Sequence, residues 1–278
     1  MKRRVIFLLI AVLALAAFAL QRFAVRRATA GAYGAGALEG DVLVSLLGGF
    51  RGIAAEIVWF RAERLQDNGQ FVELAQLATL LTRMEPHTPE VWSYAAWNLA
   101  YNISVQMPSF EDRWRWVEAG LKLLRDDGLA INPTDASLHR EIAWMFLAKI
   151  GGDIDDAHAV YARIWRERMS AARESGDYSA LRMDPEAMRS VEREYGVKDW
   201  GDPSASALYW AVRGLPHAAG VTRQALRRII YQALILMSER DSAHAPRAYA
   251  EIQSFAREYP SPQVEQLLQA FREGHALH

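Results

Sequence analysis

Apolar residues recur at helical spacing through most of this chain, and short polar breaks interrupt them. Residues 53–66 read as one helix, Asp67-Asn68-Gly69 as a turn, and a second helix runs to Met84, where Glu85-Pro86 stops it. Pro89 opens the next pair: PEVWSYAAWNLAYNI supplies its first helix and EDRWRWVEAGLKLLRDDGLAI its second, closed by Asn132-Pro133. A third pair starts at Asp135, turns at Gly151-Gly152 and continues in DIDDAHAVYARIWRERM. Long alternating runs of Val, Ile and Thr are missing, so the expected class is all-α.

The pairs resemble one another. A shift of 47 residues brings Val91 onto Leu138, Ala96 onto Ala143 and Trp97 onto Trp144, and in the second helices Leu74 onto Leu121 and Leu77 onto Leu124. A shift of 33 brings Val58 onto Val91 and Trp59 onto Trp92. The longer spacing places an insertion near 102–114. An apolar face alone would follow from any helical bundle; the recurrence of that face with the same turn residues would not. The early Trp92, the small mid-helix residues Ala62, Ala96 and Ala143, the aromatic Phe146, and the closing Pro86 and Pro133 carry a resemblance to tetratricopeptide repeat (TPR) proteins. Ala157 and Tyr161 match the family's second helix, and Ala248 and Pro260 repeat its spacing near the C-terminus. The family's usual first-helix Gly is Ala in every unit, and the linkers vary, so the repeats are degenerate. The resemblance implies a right-handed helical-hairpin solenoid with a groove lined by first helices, a surface for a peptide or protein.

The period breaks at 174–203, a polar stretch punctuated by Pro185, Gly196, Gly201 and Pro203, with a short helix expected over 185–195. Helices are expected again at 204–215, 221–240, 245–259 and 261–274, the last as a cap. Asp202 and Ser204 are cap candidates for the first of these. Trp200 stands in an irregular segment, where it either docks the insertion onto the helices or meets a partner.

The N-terminus reads differently. Lys2-Arg3-Arg4 precedes sixteen uncharged residues, 5–20, which as a helix rise roughly 24 Å against a bilayer core of about 30 Å. One reading is a retained signal anchor over 1–27; the other is a cleaved signal peptide with Ala17-Phe18-Ala19 at its site. The apolar run passes through that site into a basic flank, which favours retention. Lipid would then be contacted through 5–20, in a bacterial inner membrane crossed once, with the main domain periplasmic. Residues 28–40 form a small-residue linker, and 41–173 the first block of repeats. Within it, residues 41–60 read as an amphipathic helix packed on the domain, or lying on a bilayer or a membrane partner. Residues 204–278 form the C-terminal helices.

Composition narrows the chemistry. Cysteine is absent, which removes disulfides, thiol nucleophiles and thiolate metal sites. Net charge is −1, and the basic-aromatic stretch around Trp114 and Trp116 is diluted by Glu111, Asp112 and Glu118, so no nucleic acid is expected. Asp153, Asp155, Asp156 and His158 lie at a helix start, where carboxylates cap and complement the dipole. Arg223, Arg227 and Arg228 form a basic face, read as solvated, or as meeting anionic lipid or an acidic partner. No P-loop, GxSxG or HExxH occurs, and no cofactor or metal is expected.

The expected function is a non-enzymatic, membrane-anchored scaffold binding a protein partner of the membrane or periplasm in an envelope assembly of the secretion, pilus or transporter type. Candidate contact residues are Trp92, Tyr94, Trp97, Tyr101, His139, Trp144, Trp200 and Trp210. Two alternatives stand beside it: a structural subunit of a large membrane complex, and an all-helical glycan-acting enzyme with acids around 174–204.

Overall fold

The computed structural model describes residues 51–273. The anchor at 5–20, the linker at 28–40 and the start of the 41–60 helix lie outside the described residues. Among the described residues there is no strand, and no helix is long and apolar enough to cross a membrane. The helices are α1 (Arg51–Asp67), α2 (Phe71–Met84), α3 (Pro89–Trp97), α4 (Phe110–Lys122), α5 (Ala136–Trp144), α6 (His158–Ser175), α7 (Pro185–Tyr195), α8 (Pro203–Gly214), α9 (Gly220–Arg240), α10 (Ala245–Glu258) and α11 (Pro262–Arg272). They divide into two compact units, one ending at Ala95 and one beginning at Ala96.

In the first unit α1 and α2 form an antiparallel pair around the Asp67–Gly69 turn, where Gly69 takes a positive φ of 69° that a side chain would strain. Ala55 and Ala62 on α1 face Leu74, Leu81 and Met84 of α2 and Val91 of α3. Trp59 packs on Tyr94 with ring centroids 4.9 Å apart.

In the second unit α8 lies at the centre. Every residue from Gly201 to Ala211 is buried. The sequence SASALYWA explains this: small residues fill the first turn and mostly large apolar ones the next, with no charge on any side, so helices can approach from all round. α5 and α9 both pack on α8, α9 also packs on α10, and α10 on α11. Tyr231 of α9, Ile252 and Phe255 of α10 and Val264 of α11 form a cluster of their own.

α3 and α5 share one layout. Each runs nine residues as α-helix and then widens into a six-residue π turn, Asn98–Ile103 and Met145–Ile150. The bonds that define the widening correspond: Ser104 N–H donates to Leu99 C=O, and Gly151 N–H to Phe146 C=O. Both sets of bounds are displaced by the 47 residues that separate Pro86 from Pro133. A third π turn, Leu123–Gly128, follows α4.

Close helix approach rests on glycine at two points. A Cβ on Gly120 of α4 would sit 2.7 Å from the Ala96 carbonyl oxygen, and one on Gly214 of α8 would sit 2.6 Å from the Cβ of His139 on α5. Gly→Ala inside a helix ordinarily stabilises by up to ~1 kcal/mol. At Gly214 the sign should reverse, because a Cβ cannot rotate away. Gly214→Ala is expected to cost about 1–3 kcal/mol, read as a lower urea midpoint at unchanged slope. A stabilised variant would mean that α5 and α8 do not meet there.

The insertion is docked firmly. Asp184 caps α7 by accepting from Glu186 N–H, and its own N–H donates to the Tyr209 hydroxyl at 2.9 Å. Trp200 donates from Nε1 to Glu192 at 2.6 Å and stands edge-on to Tyr209. Asp202 caps α8 through Ser204 N–H and pairs with Arg240.

Candidate functional site

The end of α3 and the π turn after it carry an aromatic pair, Trp97 exposed and Tyr101 half-buried. Trp97, at the last residue of α3, is 39% exposed. One helical turn on, Tyr101 stacks against it, with centroids 4.3 Å apart and an interplanar angle of 20°. The indole N–H of Trp97 donates to Glu141 Oε2 of α5 at 2.7 Å, and Arg140 holds the other oxygen of that buried carboxylate. The indole is thus fixed in orientation before anything touches it.

Behind this pair the polar network runs inward. Lys149 Nζ lies 5.0 Å from the centre of the Tyr101 ring, a cation–π contact. Lys149 and Asp155 form an ion pair in which both side chains are only 2% exposed. Asp155 also accepts from Ala157 N–H at 2.9 Å and from the Tyr161 hydroxyl at 3.2 Å. Arg113 approaches it at 3.5 Å while pairing with Asp156 at 2.6 Å. Burial opposes the Asp155 charge, but the Lys149 hydrogen bond, the Ala157 N–H and the Lys149 charge outweigh it and hold the carboxyl below its ordinary range.

The Tyr101 hydroxyl is buried and has no hydrogen-bond partner among the described residues. Burial, and then the Glu141 charge, push its pKa up, so it stays a neutral donor. A buried, unpaired hydroxyl costs free energy. The exposed indole of Trp97 is thus backed by the Tyr101 ring and oriented by Glu141.

The sequence candidates fall into separate groups. Trp97 and Tyr101 come together here. Trp92 and Tyr94 belong to the first unit, where Trp92 is buried and donates to the Pro86 carbonyl at 2.8 Å, and Tyr94 donates to Gln66 at 2.8 Å. His139 and Trp210 are buried beside one another at the α5–α8 contact, centroids 6.0 Å apart, so neither presents a surface in this conformation. Burial lowers the His139 pKa. Trp144 is half-buried at the end of α5. Trp200 docks the insertion, as described above. Sequence reasoning missed Glu141 and Lys149. A signal for the second was present: one Lys inside the otherwise apolar MFLAKI implies a buried countercharge.

The remaining charged motifs are used locally. Trp114 is buried and Arg113 is spent on Asp155 and Asp156. Arg223 and Arg227 meet Glu258 and Glu251 of α10. Around the insertion Asp177 accepts from Ser179 N–H, and Asp199 pairs with Arg166. No group of three or more His, Asp or Glu among the described residues is placed to hold a metal. Comparison with known protein families, with curated proteins and with solved structures finds no match to this chain.

Proposed function

We propose that this chain is a membrane-anchored, TPR-like scaffold that holds a protein partner in a bacterial envelope assembly of the secretion, pilus or transporter type. Residues 5–20 tether it to the inner membrane, and the helical part works in the periplasm. The observation that carries the reading is the Trp97–Tyr101 pair: a half-exposed indole, ordered by Glu141, beside a hydroxyl without a partner. Aromatic anchors of this kind dominate protein interfaces, and fixing them in advance lowers the entropy lost on binding. The 47-residue recurrence of α3 and α5, π turns included, supports a repeat origin for these helices. So does the packing of α5 on α8, one first helix on the next. Tethering confines the search for a partner to the membrane plane, so modest contacts suffice.

The test is affinity capture of the intact chain after gentle detergent extraction, beside Trp97→Ala and a chain starting at residue 41. A stoichiometric partner is expected with the intact chain. Trp97→Ala should weaken it by about 2 kcal/mol, roughly 30-fold, while Trp97→Phe, which keeps the stack, loses less. Equal recovery by Trp97→Ala at unchanged thermal stability would overturn the assignment of this face.

A further inference from the structure

Helix α1 has a second apolar face that the fold does not use. Its inner face is consumed by the α1–α2 core, where Ala55 and Ala62 are fully buried. On the outer face Ile53, Ile57 and Phe60 are 60%, 66% and 63% exposed. Their spacing, i, i+4 and i+7, makes one continuous stripe. Near its C-terminal end a groove of about 400 Å³ opens, lined by Ile57, Phe60 and Leu65 together with Arg61 and Arg64. The Arg64 guanidinium lies 5.0 Å from the centre of the Phe60 ring, and among the described residues neither Arg61 nor Arg64 is paired with a carboxylate. Glu56, Glu63 and Asp67 of α1 are exposed as well, and after burial Glu63 and then Asp67 raise the Tyr94 pKa.

We propose that the outer face of α1 rests on a phospholipid surface, with Ile53, Ile57 and Phe60 at the acyl boundary and Arg61 and Arg64 at the phosphates. Two free guanidinium groups beside an apolar stripe match a phosphate layer over acyl chains. A protein laid over this stripe must bring an acid for each guanidinium or leave it buried and unpaired. A bilayer interface separates the two demands. Apolar side chains sink roughly 5–10 Å into the headgroup–acyl boundary while each planar guanidinium keeps a phosphate partner. Position supports the same cover: residues 21–50 join α1 to the apolar run at 5–20, so an inserted run keeps α1 at the membrane and a weak intrinsic affinity is enough. The inference rests on the anchor reading above.

The chain has no cysteine, so a single label can be placed without background. Full-length Ile57→Cys and, as a control on exposed Glu73 of α2, Glu73→Cys are labelled with an environment-sensitive fluorophore. They are reconstituted into vesicles of phosphatidylcholine with phosphatidylglycerol. Expected is blue-shifted emission at 57 that is quenched by lipid-borne nitroxide and not by aqueous iodide, with iodide quenching retained at 73. Iodide quenching at 57 in a chain that stays with the vesicles after a carbonate wash would overturn docking and leave the anchor standing. Protection of 57 from both quenchers would also overturn it, in favour of a protein cover. A chain released by the wash would remove the anchor and the docking together.

Discussion

Asp155→Ala is expected to lower the unfolding free energy by about 3–5 kcal/mol, the cost of stranding one partner of a buried ion pair. The substitution leaves the Lys149 ammonium in the core with only the Tyr101 ring beside it, and it frees the Ala157 N–H and the Tyr161 hydroxyl at the same time. Asp155→Asn keeps an acceptor for Ala157 and isolates the loss of charge. Adding Lys149→Met to Asp155→Asn should recover much of the difference, because the pair is costly to split and cheap to replace whole. Urea melts of the four proteins check the cycle; additive losses would mean that Lys149 and Asp155 do not interact. The pair also sets an acid limb. The folded pKa of Asp155 lies below its unfolded value, so its contribution is present above about pH 4 and is lost as pH falls through the native value. Glu118 acts in the same sense: burial opposes its charge, but Arg168 and Lys122 bring its pKa down to about 2. Stability of the parent should therefore fall as pH drops from about 4 toward 2, and Asp155→Asn should flatten that limb.

Much of the secondary structure was legible because proline and glycine punctuate it. The expected helix at 185–195 has the bounds of α7, with Asp184 and Pro185 starting it and Gly196, in a left-handed conformation, ending it. Pro89, Pro203 and Pro262 each open a helix for the same reason. The π turns were not legible. A widened turn shifts the helical phase by a fraction of a turn, and residues such as Leu99 and Phe146 read as apolar in either phase. The buried network was legible only in part. Its place before a helix suggests Asp155 as a cap, yet α6 has no side-chain cap: Asp155 accepts from Ala157 N–H just ahead of it, and a countercharge 6 residues upstream across the Gly151-Gly152 turn requires knowing how that turn folds back. Which aromatics face out was also beyond periodicity: Trp92 and Trp97 sit on one helix, yet the first is buried and the second half-exposed.

Trp165→Ala is expected to cost about 3–5 kcal/mol, the range for emptying a large aromatic site in a core. Trp165 is 1% exposed, meets Phe146 edge-on at 4.5 Å, and donates from Nε1 to the Ser206 hydroxyl at 3.1 Å. The bond joins α6, before the insertion, to the first turn of α8, after it. If truncation to Ala prevents folding, smaller changes still answer the question. Trp165→Phe removes the donor and keeps most of the volume. Ser206→Ala removes the acceptor and leaves a buried indole N–H unpaired, at about 1–3 kcal/mol. Together the two should cost less than the sum of each, with a coupling near 1 kcal/mol, measured from denaturant midpoints. A coupling of zero would mean that α6 and α8 are not held across residues 174–203. The continuity of helical pairs through the insertion, which the scaffold reading needs, would then lose its physical basis. A positive coupling would instead make the insertion an addition to the stack that leaves its pair-to-pair contact intact.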